Sequence, residues 1–172
     1  IEACQYCSKP ENRAEVAQII SEKSFTGAKP NITSAGIVGN YNYGGFDNQK
    51  RIVDDIATTI FYDLPPEVSN IPNDHSTFLW QSQNLWLMTQ STRWQQIAKF
   101  PKNADEIART AWRSDLYREI ASEMGIQCPI EDYKVESAEA FIDNKAFDPS
   151  DPVGYLDSFK IRANAPRSIF MS

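Results

Sequence analysis

The sequence predicts an α+β fold that is mostly helical. Apolar residues recur at helical spacing in several stretches, capping residues and prolines punctuate those stretches, and strand-like signals are confined to short Gly-, Asn- and Tyr-rich segments. With 172 residues and 41% hydrophobic content, the chain can bury a sizeable core and is expected to form one unit. Residues 1–125 read as a helical body, and 126–172 as a short hairpin, a short helix and a C-terminal extension.

The richest stretch runs from Asn73 to Trp94 and holds three tryptophans, the one histidine and several side-chain amides. Leu79, Trp86 and Trp94 fall near helical spacing, with Phe78, Leu85 and Met88 widening the stripe, so about six turns of a helix buried on more than one side are expected. Trp80, Trp86 and Trp94 are its expected core residues. Buried indole and amide groups must be hydrogen-bonded, and Gln81, Gln83, Gln90 and Arg93 are placed either to bond neighbouring elements or to line a polar cleft.

At the N-terminus, Ile1-Glu-Ala-Cys-Gln-Tyr-Cys lacks an initiator Met and reads like the last turns of a helix, as expected of the C-terminal part of a longer polypeptide or of a processed chain. Ser8, Pro10 and Glu11 then form a capping pattern that starts a helix ending near Lys23, with Val16, Ala17, Ile19 and Ile20 on its apolar face. From Phe25 to Asn48 the composition predicts loop or short strand, with Asn40-Tyr-Asn-Tyr-Gly-Gly a turn that lets backbone approach a neighbour closely. Ile52, Val53, Ile56, Ile60 and Leu64 follow helical spacing until Pro65-Pro66.

Further on, Asn103 with Glu106, and Ser114, are expected to cap two helices, the second running over Asp115–Met124 with Gly125 just beyond its end. Phe141–Phe147 reads as a small hairpin turning at Asp143 and Asn144, and Asp151 with Pro152 starts a short helix carrying Tyr155, Leu156 and Phe159. The tail from Arg162 has no clear period.

Composition narrows the function. A formal charge of -6, a pI near 4.8 and basic residues Arg109, Arg113 and Arg118 interleaved with acids argue against a nucleic-acid partner. No apolar run reaches the roughly 20 residues of a bilayer span. Cys4 and Cys7 read as small apolar residues at a helix end, and Cys128 stands alone, so neither a disulfide framework nor a metal site is expected. Asp54-Asp55, Glu131-Asp132 and Asp148 with Asp151 lack the spacing of a calcium loop. There is no phosphate-binding Gly-rich loop and no catalytic motif, so no catalytic residue, no metal and no cofactor is assigned. A small anion at a helix N-terminus capped by Asp74 or Ser76, beside His75, is the one ligand geometry the residues themselves suggest.

Read in order, Glu2-Ala-Cys-Gln-Tyr-Cys-Ser-Lys-Pro-Glu-Asn-Arg13, Asn42-Tyr-Gly44, Leu85-Trp-Leu-Met-Thr-Gln-Ser-Thr-Arg-Trp94, Arg113-Ser-Asp-Leu-Tyr-Arg118 and Phe147-Asp-Pro-Ser-Asp-Pro-Val-Gly-Tyr-Leu156 resemble the C-terminal portion of the nitrate/nitrite/bicarbonate-binding family of ABC importers. The resemblance implies part of a two-lobed, type II periplasmic-binding-protein-like fold that encloses an oxyanion, performs no catalysis, and works with the importer's permease and ATPase on the periplasmic side of the membrane. Relatives with a cytoplasmic setting, as a regulatory domain or nitrate sensor, are also implied. The family's oxyanion ligands lie mainly upstream of the segment matching Ile1, so none is carried over. His75, Gln90 and Arg93 remain the ligand candidates here, Arg93 because its planar donor fork suits an oxyanion. The alternative is an interaction subunit of a larger assembly that has lost anion binding.

Overall fold

A computed structural model describes residues 1–39, 41–53, 61–62 and 76–160. By its internal contacts the chain divides into two compact units, Ile1–Thr77 and Phe78–Ser172, whereas the sequence reading has one unit that changes character after residue 125.

In the first unit, α1 (Glu2–Ser8) passes through a 3₁₀ turn (Pro10–Asn12) into α2 (Arg13–Ser21). Ser8 therefore ends one helix instead of capping the next. Pro10 cannot continue α1, because it lacks an N–H and forces Lys9 into extended backbone, so the chain restarts in a tighter turn. Arg13 fastens the junction, donating to the Ser8 and Ile37 carbonyls at 3.3 and 2.8 Å. Val16 and Ala17 are buried as expected, while Ile19 is 41% exposed.

The expectation of loop over 25–48 misses α3 (Pro30–Val38), which begins with Pro30 in its first turn and packs on α2 through Ile37. Ser21 and Thr33 hydroxyls bond each other across that packing, and Thr33 also donates to the Ala17 carbonyl at 3.2 Å. Those side-chain bonds offset the weak helix propensity of Asn31, Thr33, Ser34 and Gly36. Beyond α3, β1 (Tyr41–Asn42) pairs antiparallel with β2 (Ile52–Val53). Ile52 and Val53 are thus strand where helix is expected, and the rest of that expected helix, with Pro65–Asp74, lies outside the described residues. The close approach expected of the Gly-rich turn is present, since a Cβ on Gly44 would stand 2.3 Å from the Gln49 carbonyl oxygen.

The second unit is built on α4 (Gln81–Arg93), joined by α5 (Ala104–Ala111), α6 (Ser114–Glu123), a 3₁₀ turn (Ala138–Ala140) and α7 (Pro152–Asp157). Leu85, Met88, Ala104, Ala108, Phe147, Tyr155 and Phe159 form its core. The small alanines of α5 let it lie close against α4, and Phe147, Tyr155 and Phe159 meet edge-to-face at 5.0 and 4.9 Å. Gly125 takes φ +69° after α6, and Ile126 donates back to the Ala121 carbonyl at 2.8 Å, completing the expected helix stop.

Asp151 caps α7 as expected, accepting from the Gly154 N–H at 2.9 Å. A Cβ on Gly154 would collide with that carboxylate at 2.0 Å, so the glycine is part of the cap. Asn144 has the positive φ expected of the turn, but the strand-like pairing that closes it is a single bridge between Glu136 and Phe147, not a Phe141–Phe147 hairpin, because Ala138–Ala140 turns helically in between. Asn103 sits at the expected start of α5 without making a side-chain cap bond.

Candidate functional site

The long helix expected from about Asn73 begins only at Gln81. Trp80 is its N-terminal boundary in extended backbone, and no side chain caps it. The first turn is satisfied across the fold instead: the Gln81 N–H donates to the Asp132 carbonyl at 2.9 Å, and Lys134 N–H reaches Ser82 Oγ at 3.2 Å. Holding 132–134 beside this turn lets Phe78 and Trp80 bury outside the helix, 2% and 8% exposed, stacked edge-to-face at 4.9 Å. The described start of α4 therefore offers no site capped by Ser76 beside an imidazole. His75 and Asp74 lie outside the described residues, as do Asp54 and Asp55.

A polar chain runs beneath this end. Gln81 Nε2 donates to Ser114 Oγ at 2.9 Å, Ser114 donates to Asp132 Oδ1 at 2.6 Å, and Arg118 pairs with the same carboxylate at 2.8 Å. Arg118 also donates to the carbonyls of Pro129, Ile130 and Glu131. Ser114 is the first residue of α6, not its cap, and its buried hydroxyl links three segments. Gln81 thus answers the expectation that the amides of this stretch bond neighbouring elements.

At the other end of α4, Arg93 donates to the Gln90 side-chain amide oxygen Oε1 at 3.3 Å, pairs with Asp143 at 3.3 Å, and stacks over Phe159 with its guanidinium carbon 3.7 Å from the ring centre. One side chain therefore ties α4, the Asp143–Asn144 turn and the end of α7. An oxyanion reaching this guanidinium would compete with Asp143 for the same donors. Gln90 Nε2 lies 3.4 Å from Thr89 Oγ1. Asp143 stands 50 residues from Arg93, and no local pattern in the sequence announces that partnership.

Of the expected core tryptophans, Trp80 is buried, its indole N–H bonded to no described residue. Trp86 packs against the core, stacks on Phe141 at 5.5 Å and donates to Tyr155 Oη at 3.1 Å. Burial pushes the Tyr155 phenol above its ordinary pKa of 10.0, which the Trp86 donor partly counters. Trp94 corrects the expectation. It is 51% exposed, because it follows the last turn of α4 and lies outside the core-facing stripe.

Beside Trp86 an open groove of about 340 Å³ is lined by Gln83, Leu87, Trp112, Phe141 and Glu136. Its one carboxylate is paired with Lys134 at 3.1 Å, so the lining is apolar without a free charge. Among the described residues no cluster of side chains could hold a metal ion, and Cys4, Cys7 and Cys128 are free thiols.

No family model matches the chain. Individual proteins do. It is 29% identical over 161 residues to the nitrate import ATP-binding protein NrtC of Synechocystis, a stretch covering 94% of this chain and 22% of that protein. It is 27% identical over 167 residues to the nitrate/nitrite binding protein NrtA of Nostoc, covering 94% and 34%, and 26% identical over 166 residues to the bicarbonate-binding protein CmpA of Synechococcus elongatus, covering 94% and 35%. The crystal structure of the periplasmic nitrate-binding protein NrtA from Synechocystis superposes with a TM-score of 0.71 at 26% identity, over 93% of this chain and 38% of that one. The chain is homologous to the nitrate/nitrite/bicarbonate-binding family.

It spans about a third or less of the length of the curated relatives it matches. The expected fold is borne out: the chain has part of the periplasmic-binding-protein fold. Because nearly all of it aligns with both a binding protein and an ATP-binding protein, the matched segment is common to two kinds of importer component.

Proposed function

We propose that the chain is part of a solute-binding component of a nitrate/nitrite/bicarbonate-type ABC importer, with oxyanion recognition belonging to the complete two-lobed protein. The observation that carries this reading is the agreement of sequence and structure: 93% of the chain superposes on a nitrate-binding protein at a TM-score of 0.71. The role is binding, not catalysis, and the importer's permease and ATPase are the partners. Periplasmic, membrane-associated placement goes with the binding-protein relatives. The cytoplasmic face goes with the ATP-binding ones.

Within that reading the second unit supplies support. Arg93 and Gln90 hold the C-terminal end of α4 to the Asp143 turn and Phe159, Trp86 packs against the core, and Trp80 is buried at the other end of the helix beside Phe78. Anion contacts then come mainly from other parts of the complete protein, since a cleft must desolvate its ligand from both walls. Calorimetric titration of the native polypeptide with nitrate, nitrite and bicarbonate, with chloride as control, tests the function. Saturable heat with at least one of the three is expected, and a polypeptide carrying both lobes that binds none would overturn the reading.

A further inference from the structure

We propose that Cys4 and Cys7 form a two-thiolate site for a soft monovalent metal ion of the copper(I) kind. The two residues stand three apart on α1, so their side chains leave one face of the helix with Cβ atoms about 5–6 Å apart. Both are free thiols and both are half-buried. Apolar packing accounts for only one of them. Cys7 lies against the Val16, Ala17 and Ile37 cluster, while Cys4 takes no part in it, so a role as small apolar filler fits Cys7 better than Cys4.

The spacing selects the chemistry. A disulfide needs Cβ atoms about 3.5–4.5 Å apart, so closing one here would distort α1. A linear thiolate–metal–thiolate unit, with metal–sulfur bonds of about 2.3 Å, holds its sulfurs about 4.6 Å apart, a separation that one regular helical turn supplies. Zinc takes four ligands, and among the described residues no group of three or more ligating side chains comes together. Copper(I) is satisfied by two thiolates, and its softness favours sulfur over the carboxylates of the surrounding surface.

The charge is balanced locally. Two thiolates around a monovalent ion carry one net negative charge, the two thiol protons passing to solvent on binding. The Arg13 guanidinium is near enough to Cys7 for their charges to interact: burial lowers its pKa, and the sulfur opposes that fall. Arg13 is fixed there by donating to the Ser8 and Ile37 carbonyls at 3.3 and 2.8 Å. A cation held beside one sulfur favours the charged, metal-bound pair over two neutral thiols.

The test is a competition titration in which the native polypeptide, reduced and kept free of oxygen, meets copper(I) held by the coloured chelator bicinchoninate. The polypeptide should withdraw one equivalent more copper than its Cys4→Ser or Cys7→Ser variant. Each substitution should weaken uptake by about 100-fold, because a single thiolate loses the advantage of a chelate. Cys128→Ser should leave it unchanged. Circular dichroism shows whether each variant keeps its fold, and X-ray absorption of the unsubstituted, copper-loaded polypeptide should show two sulfur neighbours. No copper withdrawn, uptake that survives both substitutions in folded protein, uptake lost equally in Cys128→Ser, or a copper shell of nitrogen and oxygen would each overturn the proposal. The readout is a metal ion, not an oxyanion, so this site stands or falls apart from the function proposed above.

Discussion

The described residues of the two units bury their apolar side chains very differently. Among the described residues of Ile1–Thr77, Val16, Ala17 and Ile37 are the buried hydrophobics, while Phe25 and Phe46 lie open to solvent. In Phe78–Ser172, aromatic residues from four separate segments converge on α4, and a polar chain runs from buried Gln81 and Ser114 out to the partly exposed Asp132–Arg118 pair, bonded at every step. Burial of apolar area is the main favourable term in folding, so among the described residues more of that stabilisation comes from the second unit than from the first. Secondary structure alone does not make a region self-sufficient. The helices of the first unit are regular, yet Ile19, Ile32 and Val38 on them stay exposed.

The strongest way to break this comparison is Phe147→Ala. Phe147 is fully buried and meets Tyr155 edge-to-face, so the loss should be about 3–5 kcal/mol. All four tryptophans, at 80, 86, 94 and 112, belong to the second unit, so denaturant unfolding followed by tryptophan fluorescence reads that unit alone. A midpoint unchanged by the substitution would mean that this core does not hold the unit together. Ser114→Ala comes next. It leaves the Gln81 amide without its acceptor and Asp132 without one donor, and should cost about 1–3 kcal/mol by the same measurement. Ser114→Cys, which keeps a weak donor, should fall between the two.

What the sequence made legible follows from how local the cause is. Asp151 with Pro152, Gly125 and Asn144 were readable because a cap, a helix stop and a positive-φ turn are decided within a few residues. The start of α4 was not. Its spacing runs smoothly from Phe78 into the helix, and at Gln81, where the helix begins, the backbone N–H is taken by the carbonyl of Asp132 in an irregular segment 51 residues later. The same limit hid the Arg93–Asp143 pair and the Ser114 link. In the first unit the error ran the other way. Small polar residues in α3 read as loop because their stabilising bonds, Thr33 to Ser21 and to the Ala17 carbonyl, come from another helix. The family and its fold were readable from motifs taken in order along the chain, and relatives at 26–29% identity over nearly all of it agree with that reading.

Smaller changes sharpen the contrast. Asp151→Ala removes the cap of α7 and should cost about 1 kcal/mol, with Asp151→Asn largely restoring it. Because α7 carries Tyr155 and Leu156 into the second core, the loss should appear in tryptophan fluorescence, and its absence there would uncouple α7 from that core. Tyr155 supplies a pH test. Its folded pKa is raised by burial, so its stabilising contribution is complete below the ordinary value of 10.0 and is lost as pH rises through the folded value. Ultraviolet titration should show Tyr155 among the late-ionising phenols, with Tyr6 and Tyr133, and Tyr155→Phe should remove one of that group.

The smallest expected effect on stability is the most informative about the first unit. Phe46 is wholly exposed, so Phe46→Ser should move the unfolding midpoint by no more than about 0.5 kcal/mol. A large stability loss in the isolated chain would place Phe46 inside the first unit's own core and erase the difference between the two halves. An unchanged midpoint would keep the contrast, with Phe46 outside the packing that holds the first unit together.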